Sequence, residues 1–359
     1  MCDILSVYKK KRQIIWLVRE FYINLWAVYR DTMIGTLNKT RVIGVDICLD
    51  VTTLAIIDLR GNILAKSSIP TYKYPEINGF VTALSEAILT ISEQNGGYES
   101  IRSVGVSSPS ANFRTGAIEN PPNLPWKGRI PLAAMLRDRL GLAVALANNA
   151  YATGMGEYVF GSAHGMKSFL IVTLGLGMGS CLFINGRAYR GANGFAGEIG
   201  HTCYKPGGRL CGCGKRGCLE TYTADKGILM TAAEVMAETD IYSPMRQDEK
   251  LTLDRVISLC NEGDELAVET MRRTGRILGV GLANYASIVN PEAIIFAGPI
   301  VQAGDRLIEP AKQAFDEHVF HNIAGKVKFL VPTLDEKERD VLGASALAWL
   351  VKEYSLFTD

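Results

Sequence analysis

This chain lacks a dominant charge. Lysine and arginine total 38 against 37 aspartates and glutamates, a formal net charge of +1. So even a balance gives no general electrostatic drive toward nucleic acid or an anionic membrane surface. A long uncharged apolar run is also missing. Ile14 to Tyr29 follows Lys9-Lys10-Lys11-Arg12 much as a signal peptide or anchor would, but Arg19 and Glu20 interrupt it and no small-residue cleavage pattern follows. Charges at the centre of a span are costly. Residues 1–40 therefore read as an N-terminal extension of unknown role, not as a membrane segment, with Met33 an alternative start. The extension is too short for a winged-helix DNA-binding arm. A disulfide framework is absent as well: Cys2, Cys48, Cys181, Cys203 and Cys260 are scattered, which favours a reducing, cytoplasmic setting. With 359 residues, 48% of them hydrophobic, the chain has room for two domains or one large one.

What the chain has is concentrated between Gly191 and Ala224. His201 is followed by Cys211, Cys213 and Cys218, with glycines at 212, 214 and 217 between the sulfurs. A tetrahedral zinc takes four nitrogen or sulfur ligands, and close-set thiolates need backbone that turns tightly around the ion. Gly-rich C-x-C-x4-C with an upstream histidine is a specific zinc signal. With all four positions filled by protein, the metal is expected to be structural. Glu198 and Glu220 flank the ligands, so the pinned loop presents two carboxylates and an imidazole.

Elsewhere the pattern is mixed α/β. Arg41 to Cys48, Thr52 to Leu59 and Ile63 to Ile69 read as strands with a turn at Arg60-Gly61-Asn62. Glu76 to Glu93 has helical spacing, Ile101 to Val106 is a strand, and Pro121 to Trp126 is a rigid loop. A helix over Pro131 to Leu140, a strand over Ala143 to Ala147 and a helix over Asn149 to Phe160 come next. The order then restarts with strands over Phe169 to Leu174 and Ser180 to Ile184, joined by a turn at 175–179. Helices are expected near 226–237, 253–260, 264–286 and 304–317, with strands at 293–296 and 327–331 and a closing helix from Val341. Two units that each open on antiparallel strands suggest two like domains around a cleft.

Seven segments, GVDI, NPPNLPWKGRIPL, LANNAYATGMGE, TLGLGMGS, RGANGFAGEIGH, CGCGKRGCLETY and LGASALAW, together resemble the ROK family of repressors and sugar kinases. The resemblance runs from about Arg41 to Trp349 and is nearest the bacterial glucokinase branch. It implies an α/β fold of two ribonuclease-H-like domains, of the actin and hexokinase type, around a sugar-binding cleft with a zinc-binding loop. The N-terminal domain would span 41–150, with the closing helix over 341–355 packing onto it. The C-terminal domain would span 151–340 and carry the zinc loop at 198–220. It also implies a homodimer and a hexose ligand, while the near-neutral charge and the missing winged-helix arm lead to the expectation of no nucleic-acid partner. By the same resemblance Asn148, Glu198, His201 and Glu220 would face the sugar, with Asn123 a further contact. Carboxylates accept from hydroxyls and an amide both donates and accepts.

The nucleotide side departs from the family pattern. D-x-G-G-T becomes Asp46-Ile47-Cys48-Leu49-Asp50, so side chains fill the space of phosphate-binding amides and Asp50 adds a like charge. The second phosphate turn is Gly175-Leu176-Gly177, without a hydroxyl, and the adenosine-side glycine pair is Gly298-Pro299. At the catalytic-base position, Asn149 replaces aspartate, and an amide is a poor proton acceptor at neutral pH. These features lead to the expectation of a hexose-binding protein impaired in phosphotransfer, a sugar sensor or partner of an active kinase, with ATP and Mg2+ poorly held. An active ATP-dependent glucokinase and a ROK-type transcriptional regulator are the alternatives.

Overall fold

Residues 42–47 are apolar at nearly every position, the pattern of a strand covered on both faces. In the computed structural model, which describes residues 39–121 and 124–351, they belong to β1 (Arg41–Ile47), buried from Val42 onward. β2 (Val51–Asp58) and β3 (Ile63–Pro70) follow, then α1 (Ile77–Gln94) and β4 (Ile101–Ser107). Next are the short strands β5 (Ala111–Asn112), β6 (Ala117–Glu119) and β7 (Arg129–Ile130), then α2 (Leu132–Leu140), β8 (Ala143–Ala147) and α3 (Asn149–Phe160). The second half begins with β9 (Phe169–Leu174), β10 (Met178–Ile184) and β11 (Arg187–Ala188). α4 (Glu220–Thr223), α5 (Asp225–Ala237), α6 (Leu253–Glu262) and α7 (Glu265–Val289) come next. β12 (Ala293–Ala297), α8 (Asp305–His318), β13 (Lys328–Leu330) and α9 (Glu336–Leu350) complete the described chain.

The two large sheets have one topology. The first runs β3-β2-β1-β4-β8 and the second β11-β10-β9-β12-β13. In each, the first three strands pair antiparallel and the last two add in parallel. This is the mixed α/β architecture of the actin and hexokinase type.

Helices α3 and α9 lie between the sheets. On β1, Ile43, Val45 and Ile47 pack with Phe80, Leu84 and Ile88 of α1, while Val42 packs with Val341, Leu342 and Ala348 of α9. α9 comes close enough to require glycine on the sheet. A Cβ at Gly44 would run into the Val341 carbonyl, and one at Gly105 into that of Ala344. On the second sheet, Phe169 and Ile171 pack with Ala152 and Met155 of α3. Glu157, fully buried on α3, sits 3.7 Å from the Arg339 guanidinium of α9, and its other oxygen accepts from the amide and hydroxyl of Ser162 at 2.8 Å each. Losing either member of such a pair would strand a buried charge.

The largest differences from the sequence pattern are two boundaries and one small sheet. The closing helix starts at Glu336, earlier than expected from Val341, because its first turns carry charged residues and lack apolar spacing. β10 begins at Met178, inside the expected turn, since Met178 pairs with Leu174. The small β5-β6-β7 sheet is absent from the sequence reading, as strands of two or three residues show no period. Among the described residues no helix is long and apolar enough to cross a membrane. Residues 1–38, most of the N-terminal extension, and Asn123 lie outside the described residues.

Candidate functional site

The loop between β11 and α4 is cross-braced. Cys203 bridges to Cys218 and Leu210 to Arg216 as isolated antiparallel pairs. Gly217 has a φ of 81°, and a Cβ there would strike the Lys205 carbonyl, so only glycine fits the turn. Arg209 ties the loop to α4 and α5. It donates to the carbonyls of Thr221 at 3.0 Å and Gly227 at 2.7 Å, pairs with Glu234 at 2.8 Å, and stacks over Tyr222.

This bracing gathers His201, Cys211, Cys213 and Cys218, whose ligand atoms all lie within 4.8 Å of one another. The Cys213 and Cys218 sulfurs are 3.7 Å apart, and Cys211 Sγ is 3.6 Å from His201 Nδ1. Zn–S bonds of about 2.3 Å and Zn–N bonds of about 2.0 Å, set tetrahedrally, put two sulfurs roughly 3.8 Å apart and sulfur and nitrogen roughly 3.5 Å apart. Those two separations match the spacing a tetrahedral metal site requires. Burial, reinforced by the adjoining thiols, pushes the Cys211 thiol up to about 12. A bound cation would reverse that preference.

Glu220 braces a second loop. Its Oε2 accepts from the Met178 amide at 3.0 Å, and its Oε1 lies 3.7 Å from Cys211 Sγ. The Gly175-Leu176-Gly177 turn is thereby fastened to the cysteine loop, and the Asp225 amide donates to the Gly175 carbonyl at 3.0 Å. Leu176 at the tip is 81% exposed. Loss of hydration raises the Glu198 carboxyl above its usual value; His201 lowers it and Glu220 raises it further.

Asn148 caps α3, its Oδ1 accepting from the Tyr151 amide at 2.8 Å. Asn148 also lines a small hollow with Phe113, Ser180, Arg190 and Ala196. Asn149 is the first residue of α3, and its carbonyl accepts from the Thr153 hydroxyl, which also approaches Asp340 at 3.4 Å. Near the end of β1, Asp46 is buried, with Oδ2 accepting from Cys48 Sγ at 3.2 Å. Burial raises its carboxyl above the usual value. Leu49 is 50% exposed beside the exposed Asp50. Gly298 keeps a φ of 97°, and Pro299 opens a 3-10 turn, packing 3.6 Å from the position a Cβ on Gly175 would take.

Sequence reasoning passed over Arg190. Its guanidinium lies 3.5 Å from the Phe113 ring centroid and donates to the Tyr151 hydroxyl. Arg114, on the β5–β6 turn, donates to the Ala192 carbonyl. These two arginines link the segment after β11 to the β5–β6 turn and α3. The one signal available was the position of Arg190, directly before Gly191-Ala192-Asn193-Gly194.

The comparisons with known proteins bear on family and fold. The ROK family profile matches residues 42–351. A glucokinase of Halalkalibacterium halodurans is 32% identical over 317 residues, covering 87% of this chain and 94% of that protein. A xylose repressor of Bacillus subtilis is 25% identical over 311 residues, covering 85% of this chain and 76% of the repressor. Among solved structures, a ROK hexokinase from Thermus thermophilus superposes with a TM-score of 0.74 at 27% identity, covering 86% of this chain and 98% of that one. A ROK glucokinase from Streptomyces griseus, solved with glucose and AMPPNP, gives 0.71 at 28%, covering 86% and 99%.

Proposed function

Because this chain belongs to the ROK family and is glucokinase-like in sequence, we propose that it holds a hexose in its cleft against a zinc-pinned wall and is impaired in phosphotransfer. Zinc suits one imidazole and three thiolates in a tetrahedral set, and four protein ligands leave no open position, so its role there would be structural. It would fix the loop that carries Glu198 and Glu220. Glu198, the free edge of His201 and the amide of Asn148 then offer acceptors and donors to sugar hydroxyls. Glu220 contributes mainly as a brace, since one of its oxygens is engaged by Met178.

The observation that carries the impairment is Asn149 at the head of α3, where the family places the aspartate that deprotonates the attacking hydroxyl. An amide can orient that hydroxyl but does not take its proton. Removing a general base costs roughly 10²–10⁴-fold in rate. The residues at the nucleotide side do not fit a polyphosphate well either. Cys48 turns onto Asp46, Leu49 and Leu176 present apolar surface, and Asp50 adds negative charge, whereas phosphoryl transfer depends on positioning and charge stabilisation. The protein would then act as a sugar-responsive partner.

Isothermal titration with glucose and N-acetylated hexoses tests the binding half of this reading. Millimolar-or-better affinity for at least one sugar is expected, and no measurable heat with any of them removes the claim.

A further inference from the structure

The cysteine loop contains one sulfur more than the metal set uses. Cys203 is exposed, whereas Cys218 is only 1% exposed and is one of the four grouped ligands. The two are directly opposite in an antiparallel bridge. The Tyr204 amide donates to the Gly217 carbonyl at 2.8 Å, and the Leu219 amide to the Thr202 carbonyl at 2.9 Å. These bonds flank the cysteine pair instead of joining it, which makes it the non-hydrogen-bonded kind. In such pairs the Cα atoms are about 4.5 Å apart and the side chains leave the same face. That spacing lies inside the range of roughly 4.4–6.8 Å that disulfides span. The other cysteines outside the ligand set in the described residues, Cys48, Cys181 and Cys260, sit on or beside other elements and face no ligand in this way.

We propose that Cys203 and Cys218 form a redox switch, in which a peroxide converts the pair to a disulfide and so takes one ligand from the zinc site. The inference rests on the zinc reading above. The exposed Cys203 sulfur attacks the peroxide. An S–O bond forms, the O–O bond breaks, and the leaving hydroxide takes a proton to become water. Cys218 sulfur then attacks the sulfenic acid on Cys203. The S–S bond forms, the S–O bond breaks, and a second water leaves. In total, the Cys203 thiol and the Cys218 thiolate, whose bond to zinc breaks, give two electrons to one hydrogen peroxide; one proton comes from Cys203 and one from solvent, and the peroxide becomes two waters. Cys218 no longer has a thiolate to offer, and three ligands remain. The metal leaves, the loop from Glu198 to Glu220 loses its pin, and the hexose wall goes with it. A thiol reductant with zinc restores the original state, so sugar binding is tied to the oxidant level.

The test begins with zinc quantification on the reduced protein. Hydrogen peroxide is then added while zinc release is followed with a chromogenic chelator, and the cysteines are mapped by mass spectrometry without reduction. The main expected product is a Cys203–Cys218 disulfide, released together with about one zinc per chain. Cys203→Ser should hold the same zinc when reduced and release it at least roughly tenfold more slowly. Equal release rates in the two proteins overturn the proposal, as does a map showing oxidised Cys203 unlinked to Cys218. Zinc missing from the reduced protein would instead refute the metal reading, while the disulfide map still decides whether the two cysteines pair.

Discussion

The cysteine-loop wall of the cleft and the β1–β2 turn stand at the ends of sheets with the same strand order, yet they are built in opposite ways. Around the cysteine loop, two polar side chains are held by other parts of the chain: Arg209 by the Thr221 and Gly227 carbonyls, the Thr231 hydroxyl and Glu234, and Glu220 by the Met178 amide. At the β1–β2 turn, Cys48 turns its thiol onto Asp46, and Cys48, Leu49 and Asp50 are exposed. A site under demand for precise placement supports its polar groups from behind. The contrast teaches that the two ends of the duplicated scaffold can differ in side-chain support without disturbing the fold, because the cores beneath them, centred on α1 and on α5–α8, are separate.

That contrast can be broken most forcefully from the nucleotide side. Asn149→Asp, combined with Asp50→Thr and Leu176→Thr, should raise hexose phosphorylation by about 10²–10⁴-fold over the parent, measured by ADP release. No gain would mean that base and turns were not the deficit. From the sugar side, Cys218→Ala should remove zinc, measured by metal analysis, and weaken hexose binding by roughly 100-fold in calorimetry, since metal binding and loop folding are one equilibrium. Unchanged affinity would separate the loop from the sugar. Glu220→Gln keeps an acceptor for Met178 but removes the charge, and a loss of about tenfold in affinity is expected. Arg190→Met tests the link from the segment after β11 to α3. Loss of a ring-stacked cation is worth about 0.5–2 kcal/mol, so the same calorimetry should show a change of a few fold to about thirtyfold.

Much of the scaffold is visible in the sequence because its strands are continuous apolar runs and its helices carry one apolar face. β1, β9 and α7 can be found from their residues alone. The early start of α9 and the sheet from Ala111 to Ile130 cannot, because charged first turns and two-residue strands carry no period. At the site, the grouping of His201 with Cys211, Cys213 and Cys218 follows from spacing and interleaved glycine. The Glu220–Met178 brace, the Arg190–Phe113 stack and the opposition of Cys203 to Cys218 join segments that only the folded chain brings together.

The most direct measurement is a coupled ADP-release assay on the zinc-replete protein with ATP, Mg2+ and saturating hexose. Turnover at the level of a no-enzyme blank, from protein that binds the sugar, is the predicted result. A kcat in the ordinary enzymatic range of about 1–10³ s⁻¹ would contradict it and make the chain a working hexokinase despite Asn149 and the altered phosphate turns.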